Sequence, residues 1–174
     1  IDAAGNTGRS SAATFTVAVG TGDVTPPVVT LTQPVNGSST SATVPTFTGT
    51  AGTLIGDSST ITVLLYSGTS ATGTPVQTLT APRSIIGAFS SVANPALANG
   101  SYTARAEQVD TAGNLGQSAP TTLTVDTVAP VPTLTQPGAG ATLTTATPAL
   151  SGVAGTASGD STTVTVRIFA GTAA

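Results

Sequence analysis

The stretch ALANGSYTARAEQVDTAGN, residues 96–114, decides the fold. Asn99-Gly100 pairs two residues that tolerate positive φ, so a turn is predicted there, and a strand follows over 101–109 with Tyr102 near its start. After the strand, Asp110 and Asn114 bracket a second turn, because short polar side chains of this kind bond to nearby backbone N–H groups.

Working outward, parts of this region occur twice. IDAAGNTGRSSAATFTV, residues 1–17, aligns with 109–125, and the segment 23–71 aligns with 126–174, each without an internal gap and with roughly half of the positions identical. DVTPPVVTLTQP at 23–34 thus reappears as DTVAPVPTLTQP at 126–137, an offset of about 103 residues, which is the size of a domain and not of a solenoid repeat. The residues AVGTG, 18–22, have no counterpart and lengthen the first junction. The expected organisation is therefore the C-terminal strands of a preceding module plus linker over 1–22, a complete module over 23–125, and the N-terminal part of a following module over 126–174. With both ends inside modules, the chain reads as an excerpt of a longer protein.

Short Thr- and Val-rich runs alternate with period two and are separated by Gly, Asn, Asp and Pro clusters, the pattern of an all-β sandwich. Strands are predicted at 28–32, 46–50, 60–67, 75–80, 84–91, 101–109 and 121–125. Ile61, Val63 and Leu65 share one face, as do Leu123 and Val125, and these are the predicted core. Tyr102 occupies the position of a tyrosine corner in an immunoglobulin-type sandwich. The plainer reading, an ordinary half-buried strand aromatic, is preferred to a corner with a bonded hydroxyl.

Composition excludes more than it assigns. The chain of 174 residues has no Cys, Met, Trp, His or Lys, and a formal net charge of -3 with four arginines as its only basic side chains. Neither nucleic acid nor an anionic membrane surface finds an electrostatic footprint here. No apolar run reaches the ~20 residues of a spanning helix. Without His, Cys or Lys, the usual general bases, nucleophiles and zinc ligands are missing, so no catalytic residue is assigned. Glu107 beside an Asp is the nearest thing to a carboxylate pair, and it stands on a plain scaffold strand.

From ALANGSYTARAEQVDTAGN through VDTVAPVPTLTQP, residues 125–137, the sequence resembles the tandem bacterial immunoglobulin-like (Big) domains of large surface proteins and adhesins. The resemblance implies antiparallel β-sandwiches of about seven strands per module, repeated head to tail on an extracellular or bacterial cell-surface protein. It implies a stalk or spacer whose partners are the neighbouring modules of the same chain, and possible further partners in other copies of a filament or in a surface glycan or protein. The scarcity of acidic residues departs from the calcium-rich adhesin repeats.

All acids except Glu107 fall on repeat-equivalent positions: Asp2 with Asp110, Asp23 with Asp126, Asp57 with Asp160. In an immunoglobulin-type topology Asp23, Asp57 and Asp110 gather at one end of the sandwich. There, with Asn114 and backbone carbonyls, they form a candidate interdomain Ca2+ site, since this hard cation takes 6–8 oxygen ligands. The alternative, preferred because dense D-x-D spacing is absent, makes them turn and linker residues and leaves the module without a cofactor. Tyr66 and Phe169, which are repeat equivalents, with Phe15, Phe47 and Phe89, are read as core in preference to a sugar-binding platform. Asn36 and Asn99 begin N-x-S triplets in exposed turns. Pro26, Pro27, Pro130 and Pro132 stiffen the two junctions, and the AVGTG insertion loosens the first. The expected role is a non-catalytic structural spacer. The alternatives are an adhesive or glycan-binding module and a filament subunit joined by strand complementation.

Overall fold

A computed structural model describes residues 1–14, 22–157 and 159–171 of the chain. Eleven strands and no helix occur among them: β1 (Thr30–Gln33), β2 (Ser38–Thr40), β3 (Thr46–Thr50), β4 (Thr60–Ser67), β5 (Gln77–Pro82), β6 (Ala88–Val92), β7 (Gly100–Val109), β8 (Leu115–Gln117), β9 (Thr121–Val125), β10 (Thr133–Gln136) and β11 (Ser151–Val153). Strands β1 to β9 build an immunoglobulin-like β-sandwich. One sheet has the order β1-β3-β6, and the other the order β2-β9-β7-β4-β5 with β8 also paired to β7. Every ladder is antiparallel except that of β2 on β9.

Strand β4, TITVLLYS, shows why these residues make this fold. β-branched and aliphatic side chains alternate with Thr, and a pleated strand sends alternate residues to opposite faces. Ile61, Val63 and Leu65 are wholly buried, and they meet Phe47 of β3 and Leu123 and Val125 of β9 in one core between the sheets.

Strands β3, β4 and β9 lie at the predicted positions. Strand β6 starts at Ala88, later than predicted, because 84–87 is the β5–β6 turn: the Ser84 N–H donates to Ala88 O at 2.8 Å, the Gly87 N–H to Ser84 O at 3.0 Å and the Ala88 N–H to Ser84 Oγ at 3.1 Å. Strands β2 and β8 escape sequence reading, being three residues each without an apolar alternation. They exist through their partners. β7 is long enough to pair β8 along its last residues and β9 along its first, and Ser118 bridges the break. There the Ser118 N–H donates to Ala106 O at 2.9 Å and the Ala106 N–H to Ser118 Oγ at 3.0 Å, so neither backbone group is stranded at the interruption before Pro120.

Tyr102 overturns the plainer reading. Its hydroxyl donates to Ala98 O at 3.1 Å, four residues upstream, which makes it a tyrosine corner that ties the β6–β7 connection to β7. Replacing it with phenylalanine removes one net hydrogen bond, and Tyr102→Phe is expected to cost about 1 kcal/mol. In a domain of this size that loss lowers the melting temperature by roughly 4–8 °C, measured by calorimetry or circular dichroism.

Beyond β9, strand β10 pairs β11 in the register of β1 on β3, shifted by the repeat offset: Thr30↔Thr50 and Leu31↔Gly49 correspond to Thr133↔Val153 and Leu134↔Gly152. Phe169 corrects an expectation. It is 59% exposed, whereas its counterpart Tyr66 is buried, because among the described residues β10 and β11 form a two-stranded sheet with no second layer over it. Residues 1–14 hold a turn near Asp2–Gly5 and no strand. Phe15 and most of the AVGTG insertion fall outside the described residues.

Candidate functional site

Four segments meet at one end of the sandwich: the entering chain at 23–27, the β3–β4 loop at 51–59, the β5–β6 turn at 83–87 and the β7–β8 turn at 110–114. Backbone hydrogen bonds hold them together. Asp57 and Asp110 face each other across an isolated antiparallel bridge, with the Ser58 N–H on Val109 O at 3.0 Å and the Thr111 N–H on Gly56 O at 2.9 Å. The Ala51 N–H reaches Gly87 O at 2.9 Å, and the Arg83 Nε donates to Ser58 O at 3.0 Å. Asn114 closes the set, donating through Nδ2 to Asp23 O and to Asp110 Oδ2, both at 2.8 Å.

Asp23, Asp57 and Asp110 are therefore brought to the same end, yet each carboxylate is turned into its own segment. Asp110 Oδ1 accepts the N–H groups of Ala112 at 2.9 Å and Asn114 at 2.8 Å, around a turn whose Gly113 has φ 90°, a conformation that glycine adopts without strain. Asp57 Oδ2 accepts the Leu54 N–H at 2.9 Å and packs against Gly52, where any Cβ would collide with it. Asp23 Oδ1 accepts the Thr25 N–H at 3.0 Å. Among the described residues no group of three or more acidic side chains is placed to hold a metal ion.

Residues 1–6 show that this geometry belongs to the local sequence. Asp2 Oδ1 accepts the N–H groups of Ala4 at 3.0 Å and Asn6 at 2.9 Å, and Oδ2 accepts Asn6 Nδ2 at 2.8 Å, the same pattern without a neighbouring strand. Asp57 is matched likewise by Asp160, whose Oδ2 accepts the Ala157 N–H at 2.9 Å, and Asp23 by Asp126, whose Oδ1 accepts the Val128 N–H at 2.9 Å.

The side-chain amide of Asn114 holds the Asp110 carboxyl below the usual aspartate range, aided by the N–H groups of Asn114, Ala112 and Gly113 and opposed by burial. A depressed folded pKa gives a stabilisation that is fully present above the unfolded value of about 3.9 and is lost as pH falls through the lower folded value. An asparagine at 110 keeps an acceptor for the backbone but lacks the ionised oxygen. Asp110→Asn is thus expected to lower the melting temperature at neutral pH and to flatten its fall below about pH 4, measured by thermal melts from pH 2 to 7.

Sequence reading missed the residue that does most to order this end. Gln108 is 2% exposed, and its Oε1 accepts the Gly52 N–H at 2.7 Å while Nε2 donates to Gly52 O at 3.0 Å and to Ser58 O at 2.7 Å. One amide therefore pins both ends of the β3–β4 loop to β7. The available signal was a long polar side chain in register with Ala104 and Ala106, an inward position on an alternating strand.

The remaining candidates are also occupied. Glu107 Oε1 lies 3.1 Å from Arg105 Nη2 and accepts Gln117 Nε2 at 2.7 Å. Tyr66 is buried with the Arg105 guanidinium 6.0 Å from its ring centroid, and Phe47 and Phe89 are in the core, so none of the three is an open platform for a sugar. Asn36 Oδ1 accepts the N–H and hydroxyl of Thr122, and Asn99 Oδ1 those of Thr127, which fastens the chain leaving β9 to the body of the sandwich.

A family model described as bacterial Ig-like domain matches residues 33–127, more than half of the chain. The chain belongs to the bacterial Ig-like domain family. No curated protein matches it. For a bacterial Ig-like domain, the matched span begins at the end of β1 and ends two residues after β9, so it takes in the whole of the Gln108 clamp and the turns of Asp57 and Asp110, while the Asp23 turn lies before it. Among the described residues no helix is long and apolar enough to cross a membrane.

Proposed function

We propose that the chain is a non-catalytic spacer from a tandem array on an exported bacterial surface or filament protein, and that its aspartates are turn formers. The observation that carries this reading is the recurrence of the same side-chain bonds at Asp2 and Asp110, Asp23 and Asp126, and Asp57 and Asp160. An array of modules needs the same linker and turn geometry at each step, and these carboxylates supply it from local donors. The buried proline at 27, set against Gly52, and the bonds of Asn99 to Thr127 and of Asp126 N to Thr40 O (2.9 Å) favour short, stiff connections. Small-angle scattering of the chain should give an elongated profile, and a glycan array should give no binding. Selective glycan binding would replace the spacer with an adhesive module.

One observation favours strand complementation as a second reading. Val164 and Val166 are about half exposed, whereas their counterparts Ile61 and Val63 are fully buried beneath the opposite sheet. A strand from a second copy could cover this face. Polymerisation that grows with protein concentration supports that reading, and a monomer throughout removes it.

A further inference from the structure

One ladder differs from all the others in the sandwich. β2 and β9 run parallel, with Ser38 opposite Leu123, Ser39 opposite Thr124 and Thr40 opposite Val125. β2 is the first strand in the chain to join the larger sheet and β9 is the last. The two ends of the module are therefore bonded directly to each other.

The points where the chain enters and leaves lie at opposite ends of the sandwich. It enters beside the turn at 110–114, where Asn114 Nδ2 holds Asp23 O, and it leaves beside Gly100, which is opposite Val125. Those places flank the two ends of β7, a strand of 10 residues. Both β2 and β9 run toward the exit. A pull on the chain draws β2 back toward the entrance and β9 forward out of the exit, so the two strands slide along each other and their bonds share the load. Strands peeled apart sideways would instead lose their bonds one at a time. β1 meets the load before β2, but its release from β3 frees only the residues ahead of β2.

β2 has only three residues, and groups outside it lengthen the ladder in both directions. Before it, Asn36 Oδ1 accepts the Thr122 N–H at 2.9 Å and the Thr122 hydroxyl at 3.0 Å, beside the Gly37 N–H on Thr122 O at 2.8 Å. After it, the Asp126 N–H donates to Thr40 O at 2.9 Å, and Asn99 Oδ1 accepts the Thr127 N–H at 3.2 Å and its hydroxyl at 2.9 Å. The repeat has Ala139 at the position of Asn36, so turn geometry alone does not require an asparagine there.

We infer that the β2–β9 ladder, reinforced by Asn36, is a shear clamp that keeps the module folded while the chain is under tension. The module then bears load as well as setting distance. The inference rests on the spacer reading above, since only a module in line with a pulled array meets such a load.

Single-molecule stretching of the chain by its two ends at constant force tests it. Unfolding of the sandwich is recognised by an extension on the order of 300 Å, as about 100 residues straighten. Two variants weaken the clamp. Asn36→Ala removes the side-chain acceptor. Thr40→Pro removes a backbone donor, because Thr40 O faces β9 and the N–H of a strand residue points to the same side as its carbonyl. Each should speed unfolding under load about fivefold or more, the effect of one net hydrogen bond on a barrier. Tyr102→Phe is the control. It lowers the melting temperature, but its bond to Ala98 O is still intact when the clamp parts, so its rate under load should stay within about twofold of the parent. Asn36 is an exposed turn residue, so Asn36→Ala decides the matter even if Thr40→Pro does not fold. An unchanged rate in folded Asn36→Ala overturns the inference, and so does a Tyr102→Phe rate that rises as far. The spacer reading fails separately, through selective glycan binding, which leaves these rates untouched.

Discussion

Gln108→Leu should destabilise the 23–125 sandwich by about 3 kcal/mol, since it strands the N–H and the carbonyl of Gly52, and each buried unpaired group costs about 1–3 kcal/mol, whereas the Ser58 carbonyl keeps its bond from Arg83 Nε. The side chain is buried, and its amide satisfies the Gly52 N–H, the Gly52 carbonyl and the Ser58 carbonyl. Leucine fills a similar volume without supplying a donor or an acceptor, so the loss is polar and not a packing defect. Partial access of water to Gly52, which is half-buried, keeps the cost near the lower end of the summed range. Against a total stability of roughly 5–15 kcal/mol this is a large share. Denaturant melts should show a lower midpoint with an unchanged slope. Hydrogen exchange should accelerate first across the 51–59 loop.

Phe47→Ala should cost about 3–5 kcal/mol, the usual penalty for emptying a buried aromatic site. Phe47 is wholly buried, and it packs in the cluster of Ile61, Leu65 and Leu123 between the two sheets. Its repeat counterpart makes an internal control. Leu150 is 38% exposed beside a two-stranded sheet, so Leu150→Ala should cost less than about 1 kcal/mol in the same chain. Parallel urea titrations of the two variants measure the contrast. Equal losses would mean that the segment after residue 125 has a closed core of its own.

The residues that were legible in the sequence are those whose environment follows from their neighbours. Strand β4 announces its buried face through the alternation of Ile61, Val63 and Leu65, and the turn at 110–114 is written in Asp110, Gly113 and Asn114 alone, as its reappearance at 2–6 demonstrates. What escaped depends on distant partners. β2 exists because β9 lies alongside it, and Gln108 matters because the β3–β4 loop, about 50 residues earlier in the chain, presents unpaired backbone groups to it. Tyr102 lies between these cases. Its position suggested a corner, but only the placement of Ala98 O supplies the acceptor. The gathering of Asp23, Asp57 and Asp110 at one end was also readable from topology, whereas the direction of each carboxylate, toward Thr25, Leu54 and Ala112 respectively, was set by local donors.

The central claim is that these carboxylates are spent on turns and that the spacer holds its form through packing and stiff linkers. Isothermal titration of Ca2+ into the chain, paired with small-angle scattering in calcium and in chelator, tests it most directly. The account predicts no binding heat and superimposable scattering profiles. Micromolar binding accompanied by a straighter, longer particle would contradict it and would make Asp23, Asp57 and Asp110 ligands of an interdomain cation.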